Sequence, residues 1–179
     1  MNASVAPHTY GMKAVGEGVA VAPDLSAAPR RRASLYADPL SWLVLDAVEQ
    51  ALGASDFTPE DASAKEAVGH IAISDQCTLH TMRQLAEAIP AGRISPLRFS
   101  GANPGSICTL PSQFLGFSGP TMTLSMPPEK GLPPALAVAR AWLRQGCATH
   151  VIVTAHRADA SGHRVTSTVL TADPTAGPK

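Results

Sequence analysis

The stretch GPTMTLSMPPEKGLPPALAVARAWLRQG, Gly119 to Gly146, leaves a chain few ways to fold. A Gly-Pro turn enters a β-type run, Thr121 to Met126, which meets a corner containing two prolines. An amphipathic helix follows, with Leu132, Leu136, Ala139 and Leu143 on one face and Gly146 as its terminal glycine. Pro133 and Pro134 fit such a helix only in its first turn. Strand, corner and helix in this order commonly present a nucleophile, because the helix dipole and the unpaired N–H groups favour a thiolate. The corner here is Met126, Pro127, Pro128, Glu129 and Lys130, with no Cys, Ser or His. Glu129 complements the dipole, and an exposed Lys130 would be protonated and a poor nucleophile.

The rest of the chain repeats the alternation. MKAVGEGVAVAP reads as a strand around Val15–Val21 closed by Pro23. A helix follows with Asp38 as its cap and Pro39 in its first turn. Its stripe is Leu40, Leu43, Val44, Ala47, Val48 and Ala51, and Gly53 ends it. Ala67–Ser74 reads as a buried strand, and Leu79–Ile89 as a helix with Leu79, Met82, Leu85 and Ile89 on one face. Asn103 and Pro104 open a helical stretch through Phe114, which Pro111 should kink or split. Thr149–His156, an ADASGH turn and RVTSTVLTAD supply two further strands. The fold class is therefore α/β, a mixed five-stranded sheet packed with helices. The expected organisation is a single domain over 11–172 with flexible ends at 1–10 and 173–179.

Charge and composition narrow the function. Lys+Arg and Asp+Glu are 14 each, so no overall field draws the chain to nucleic acid or an anionic membrane. Charged residues are 16% against 45% hydrophobic, which suits a domain that buries part of its surface against a partner. Arg30, Arg31 and Arg32 form one basic run, read as a solvated loop or as a docking spot for an acidic partner such as an acyl carrier protein. Cys77, Cys108 and Cys147 lie far apart, and His70, His80, His150, His156 and His163 lack metal-ligand spacing. These features imply reduced thiols, no metal, no cofactor, no membrane span and a cytoplasmic setting. Gly16-Glu17-Gly18 lacks the third glycine of a dinucleotide fingerprint, and Gly116-Phe117-Ser118-Gly119 has Pro120 where the hydrolase elbow needs Gly.

The order SPLRFSGANPGSICTLPSQFLGFSGPTMTLS, then Gly131, then ALAVARAWLRQGCATHVIVTA, resembles the N-terminal half of β-ketoacyl synthases of the thiolase fold. Pro96, Gly116, Gly119, Pro120, Gly131 and Gly146 carry the match, and VGEGVAVAP resembles the family's first strand. The resemblance implies that Pro128 occupies the nucleophile position, where a condensing enzyme has Cys and classical chain-length factors have Gln. The family's second half supplies two histidines, and this chain ends before them. Without a thiolate and enolate-stabilising donors, condensation is not expected of it alone.

What the resemblance implies instead is a non-catalytic, truncated chain-length-factor-like subunit. It would form a heterodimer with a full-length β-ketoacyl synthase in a type II polyketide or fatty-acid-like pathway served by an acyl carrier protein. Thr121, Met122, Thr123, Leu124, Ser125 and Met126 would form the intersubunit strand. Leu97, Arg98, Phe99, Leu110, Phe114 and Phe117 would lie at the contact and shape the partner's tunnel. Two other readings stand beside it. One is an acyltransferase or hydrolase using Cys108, Cys147 or Ser125; the other is a homodimeric module holding an acyl or aromatic molecule.

Overall fold

The computed structural model describes residues 11–27, 36–57, 59, 62–93 and 95–174. The run Arg30–Arg32 and the expected flexible ends, apart from Asp173 and Pro174, lie outside them. Five strands make one sheet: β1 (Met12–Ala22), β2 (Val68–Ile73), β3 (Thr121–Leu124), β4 (His150–Asp159) and β5 (Gly162–Ala172), in the order β1-β5-β4-β2-β3. Strands β2, β3 and β4 run parallel, whereas β5 is antiparallel to both β4 and β1. The helices are α1 (Pro39–Gly53), α2 (Ala62–Glu66), α3 (Leu79–Ala88), α4 (Pro96–Gly101), α5 (Ser106–Leu115) and α6 (Pro128–Arg144). The mixed five-stranded sheet packed with helices is thus the one the alternation implies.

The two faces are covered unequally. On one, Leu40, Leu43, Val44, Ala47 and Val48 of α1 and Ile107 and Cys108 of α5 pack on Ala20, Ala72, Ile152, Val165 and Val169. On the other, α6 alone lays Ala135, Leu136 and Ala139 over Ile71, Ile73, Val151 and Val153, and leaves Leu132, Val138, Trp142 and Leu143 half-buried. Gly16 and Gly18 let α1 approach β1 closely. A Cβ at Gly18 would lie 2.2 Å from the Ala47 carbonyl oxygen, and one at Gly16 would lie 2.1 Å from that of Ala51. These are packing glycines, not a phosphate loop.

Asp38 caps α1 as expected, accepting from the Leu40 amide at 2.9 Å. Its other oxygen accepts from the Thr81 amide of α3 at 3.0 Å, so one fully buried carboxylate ties two helix starts together. Across the sheet runs a second polar line. His70 Nδ1 lies 3.2 Å from the Cys108 carbonyl and its Nε2 lies 3.0 Å from Thr154 Oγ1, which in turn meets Ser167 Oγ at 2.9 Å. A carbonyl only accepts, so Nδ1 carries the hydrogen and Nε2 accepts from Thr154.

Three local expectations need correction. Helix α6 starts at Pro128, so Pro133 and Pro134 fall inside it and not in its first turn. They leave the carbonyls of Glu129 and Lys130 without helical donors, but all four residues are exposed and water reaches those oxygens. Pro111 does not split α5, which runs unbroken from Ser106 to Leu115. Of the stripe Leu79, Met82, Leu85 and Ile89 only Leu85 is buried; α3 packs chiefly against α4 and turns the other three outward.

Burial holds the pKa of His70 down to about 4 from 6.5, so the folded chain keeps this ring neutral while the unfolded chain protonates first. Stability is therefore complete above 6.5 and drains as pH falls from there towards 4. By about pH 5 the expected loss from His70 is on the order of 2 kcal/mol, read by urea unfolding at both pH values; a loss of the same size in His70→Gln would contradict it. Gly18→Ala should cost about 2–3 kcal/mol, because the new methyl meets backbone that cannot yield. Gly53→Ala, with nothing within 4 Å of the added carbon, should be neutral or stabilising by up to about 1 kcal/mol; thermal melts compare the two.

Candidate functional site

The parallel trio β2, β3 and β4 ends along one rim of the sheet, the place where open α/β sheets form their crevices. Ser74 follows β2, Ser125 follows β3, and His156 stands near the end of β4. The corner after β3 turns through Pro127 (φ −57°, ψ 140°), and Pro128 is the first residue of α6. Gly131 brings that first turn down onto β2, since a Cβ there would lie 2.4 Å from Ile73 Cγ2. Strand, proline corner and helix start thus meet at the rim. Pro128 is buried and brings neither a nucleophile nor an N–H donor. Glu129 pairs with Arg157 at 3.6 Å, an exposed contact of little energetic weight.

Beside the corner lies a cluster that pattern reading does not find. Cys77, in the loop from β2 to α3, has φ 45°, in the left-handed region that non-glycine residues seldom adopt. Its amide donates to Ser74 Oγ at 2.8 Å, its thiol to the Ser74 carbonyl at 3.1 Å, and its sulfur lies 3.5 Å from Ser125 Oγ. Ser74 Oγ also lies 2.8 Å from His156 Nδ1, and His156 Nε2 lies 3.0 Å from His163 Nδ1. The two imidazoles stack at 5.3 Å between centroids. The sequence signal was His156 shortly before the ADASGH turn and His163 at its end; only the β4–β5 hairpin register brings their rings together.

This cluster is not an active nucleophile–base pair. Ser74 is fully buried and its oxygen already serves two backbone amides, those of Gln76 and Cys77. Burial pushes the Cys77 thiol pKa up, against the smaller pull of hydrogen bonds from Ser125 and Ser74. The other three candidate nucleophiles fare no better. Cys108 is buried in α5, donates to the His70 carbonyl at 3.1 Å and is pushed up to about 12 by that burial. Cys147 is exposed past the end of α6, near Gln145. Ser125 is exposed, and its recorded neighbour is a thiol, not a base.

The residues expected at a subunit contact separate into three groups. Leu97 and Phe99 on α4 are 56% and 65% exposed, and Arg98 beside them is exposed too. Phe114 on α5 is exposed and meets Trp42 edge-on at 6.2 Å, while Leu110 is half-buried. Phe117 is different: at 7% exposure it belongs to the core under α1 and presents nothing outward. Strand β3 occupies the edge of the sheet and pairs with β2 alone, with Thr121 and Ser125 exposed and Met122, Thr123, Leu124 and Met126 half-buried. Among the described residues no cluster of His, Cys, Asp and Glu could hold a metal ion, and no helix is long and apolar enough to cross a membrane.

Solved structures share this fold at low identity. The ishigamide ketosynthase/chain length factor matches with a TM-score of 0.67 and 18% identity over 87% of this chain and 49% of that one. A β-ketoacyl synthase from Burkholderia phymatum STM815 matches with a TM-score of 0.66 and 14% identity, over 90% of this chain and 58% of that one. A ketosynthase in complex with its chain length factor, from Xenorhabdus doucetiae, gives 0.62 and 12% over 91% and 79%. The chain thus spans about half the length of the first of these and three-fifths of the second. No curated protein matches it. The family model for the β-ketoacyl synthase N-terminal domain matches residues 9–165, nearly the whole chain, and the chain belongs to that family.

Proposed function

We propose that the chain is a non-catalytic, chain-length-factor-like subunit that pairs with an active β-ketoacyl synthase in a type II polyketide or fatty-acid-like pathway. One observation supports the reading: Pro128 opens α6 at the corner after β3, the position that the sequence resemblance matches to the family's nucleophile. A proline there forms no acyl-enzyme, so the thiolate comes from the partner. This chain contributes surface, stability and a boundary for the growing product.

The exposed apolar side chains support the same reading. An edge strand with open backbone groups, together with exposed Leu97, Phe99 and Phe114, is a liability for a free monomer and an asset for a pair. Thr121–Met126 would add to the partner along the edge, with Leu97, Arg98, Phe99, Leu110 and Phe114 around it. Structural neighbours include a type II acyl carrier protein in complex with its ketosynthase, which makes a carrier protein a sensible third component. Arg30, Arg31 and Arg32 would serve its docking, and 11–172 would act as one domain.

The isolated chain should gain no mass on incubation with acyl thioesters, read by intact mass spectrometry; a stoichiometric adduct would defeat the proposal. Co-expressed with a ketosynthase from its own pathway, it should co-elute as a hetero-oligomer. Leu97→Asp with Phe99→Asp should weaken that association by about 2–4 kcal/mol, thirtyfold or more, measured by titration calorimetry. Because both side chains are exposed, the melting temperature of the variant should move little.

A further inference from the structure

The polar series from Ser74 to His163 fixes where each of its hydrogens sits. Ser74 Oγ accepts the amide N–H of Gln76 at 3.1 Å and that of Cys77 at 2.8 Å. Both lone pairs are then used, so its own hydrogen goes to His156 Nδ1. Burial, with a smaller push from His163, holds the His156 pKa at about 4, so the ring is neutral and its single hydrogen is on Nε2. That hydrogen is donated to His163 Nδ1, which leaves His163 with its own hydrogen on Nε2. The series runs one way only. Its far end is accessible, since half-buried His163 lines an open polar cleft of about 470 Å3 with Asp24, Gln76, His80, Arg83 and Asp159.

A proton added to His163 cannot be accommodated without rearrangement. It puts an N–H on Nδ1 directly against the N–H on His156 Nε2. His156 restores that contact by moving its hydrogen to Nδ1, where it faces an oxygen that already holds two amides. One of those amides must let go. Cys77 is held in the left-handed region by such a bond and returns to ordinary backbone conformation when it is lost.

We propose that His163, His156 and Ser74 form a proton-operated latch on residues 74–78: neutral His163 holds Cys77 against Ser125 at the corner, and protonation of His163 from the cleft releases it. The groups around the latch set its range. His163 faces Asp24 from the segment after β1, His80 and Arg83 from α3, Asp159 from the β4–β5 turn and, at longer range, Asp38 before α1. Burial, the largest influence, lowers its pKa; Asp24 and Asp38 raise it, and His80 lowers it. Release therefore falls on the acid side of the ordinary histidine range. At the other end burial, with a smaller push from Asp75 and Asp38, raises the Cys77 thiol pKa. The latch does not depend on the partner proposed above.

Nitrogen-15 NMR of the full chain tests it, with ring shifts reporting tautomers and amide exchange, corrected for intrinsic rates, reporting the loop. At about pH 8 both His156 and His163 should show the Nε2–H tautomer. On acidification to about pH 5 protection at Gln76 or Cys77 should fall about tenfold or more, while amides in mid-β2 hold. His163→Gln keeps an acceptor for His156 and cannot titrate, so its loop should stay protected across that range. If that variant does not fold, the wild-type ring shifts and loop exchange decide alone. An Nδ1–H tautomer on His156 at the higher pH, an unchanged loop in the wild type, or an equal fall in His163→Gln would overturn the latch.

Discussion

Strand β2 is hydrogen-bonded along both edges and covered on both faces, and the rest of the structure is arranged around that constraint. All six of its residues are buried, including His70. A polar ring in that position is tolerable only if it stays neutral and every ring nitrogen has a partner, which the carbonyl of Cys108 and the hydroxyl of Thr154 provide. The same hydrogen bonds stitch α5 to β2 and β2 to β4. They set the depth at which the three parallel strands lie, and hence the level of the rim where Ser74, Ser125 and His156 emerge.

The corner after β3 inherits its shape from this packing and not from any chemistry it performs. Gly131 lets the first turn of α6 touch Ile73 of β2, and Pro127 and Pro128 set the entry angle of the helix. A thiol in place of Pro128 would alter neither contact. The frame of strand, corner and helix therefore does not depend on a reactive side chain at position 128. In the loop beside it, Cys77 is bonded to Ser74 and packs against Ser125.

How much of this was legible beforehand varies from element to element. Gly16 and Gly18 read from the sequence as glycines of a strand, but only the fold shows that α1 rests on them. The start of α6 was misplaced because two internal prolines argue strongly against a helix interior. Solvent at the exposed carbonyls of Glu129 and Lys130 removes most of that objection. The stripe on α3 was real as a periodicity yet wrong as a core face, since periodicity reveals that apolar residues align and not which way they turn. Phe117 and Phe99 look alike in sequence; one is in the core and the other stands in solvent.

The amino-acid order by itself determined the alternation of strands and helices, the caps at Asp38 and Gly146, and a corner from Met126 to Lys130 that holds no Cys, Ser or His. Those are local matters, settled by propensity, turn chemistry and residue identity within a few positions. Tertiary structure alone decided that Cys77 meets Ser125, that His156 stacks on His163, and that β3 rather than another parallel strand takes the sheet edge. Such pairings join residues far apart along the chain. They exist only once strand order and register are chosen, and those are set by how the whole apolar surface is buried together.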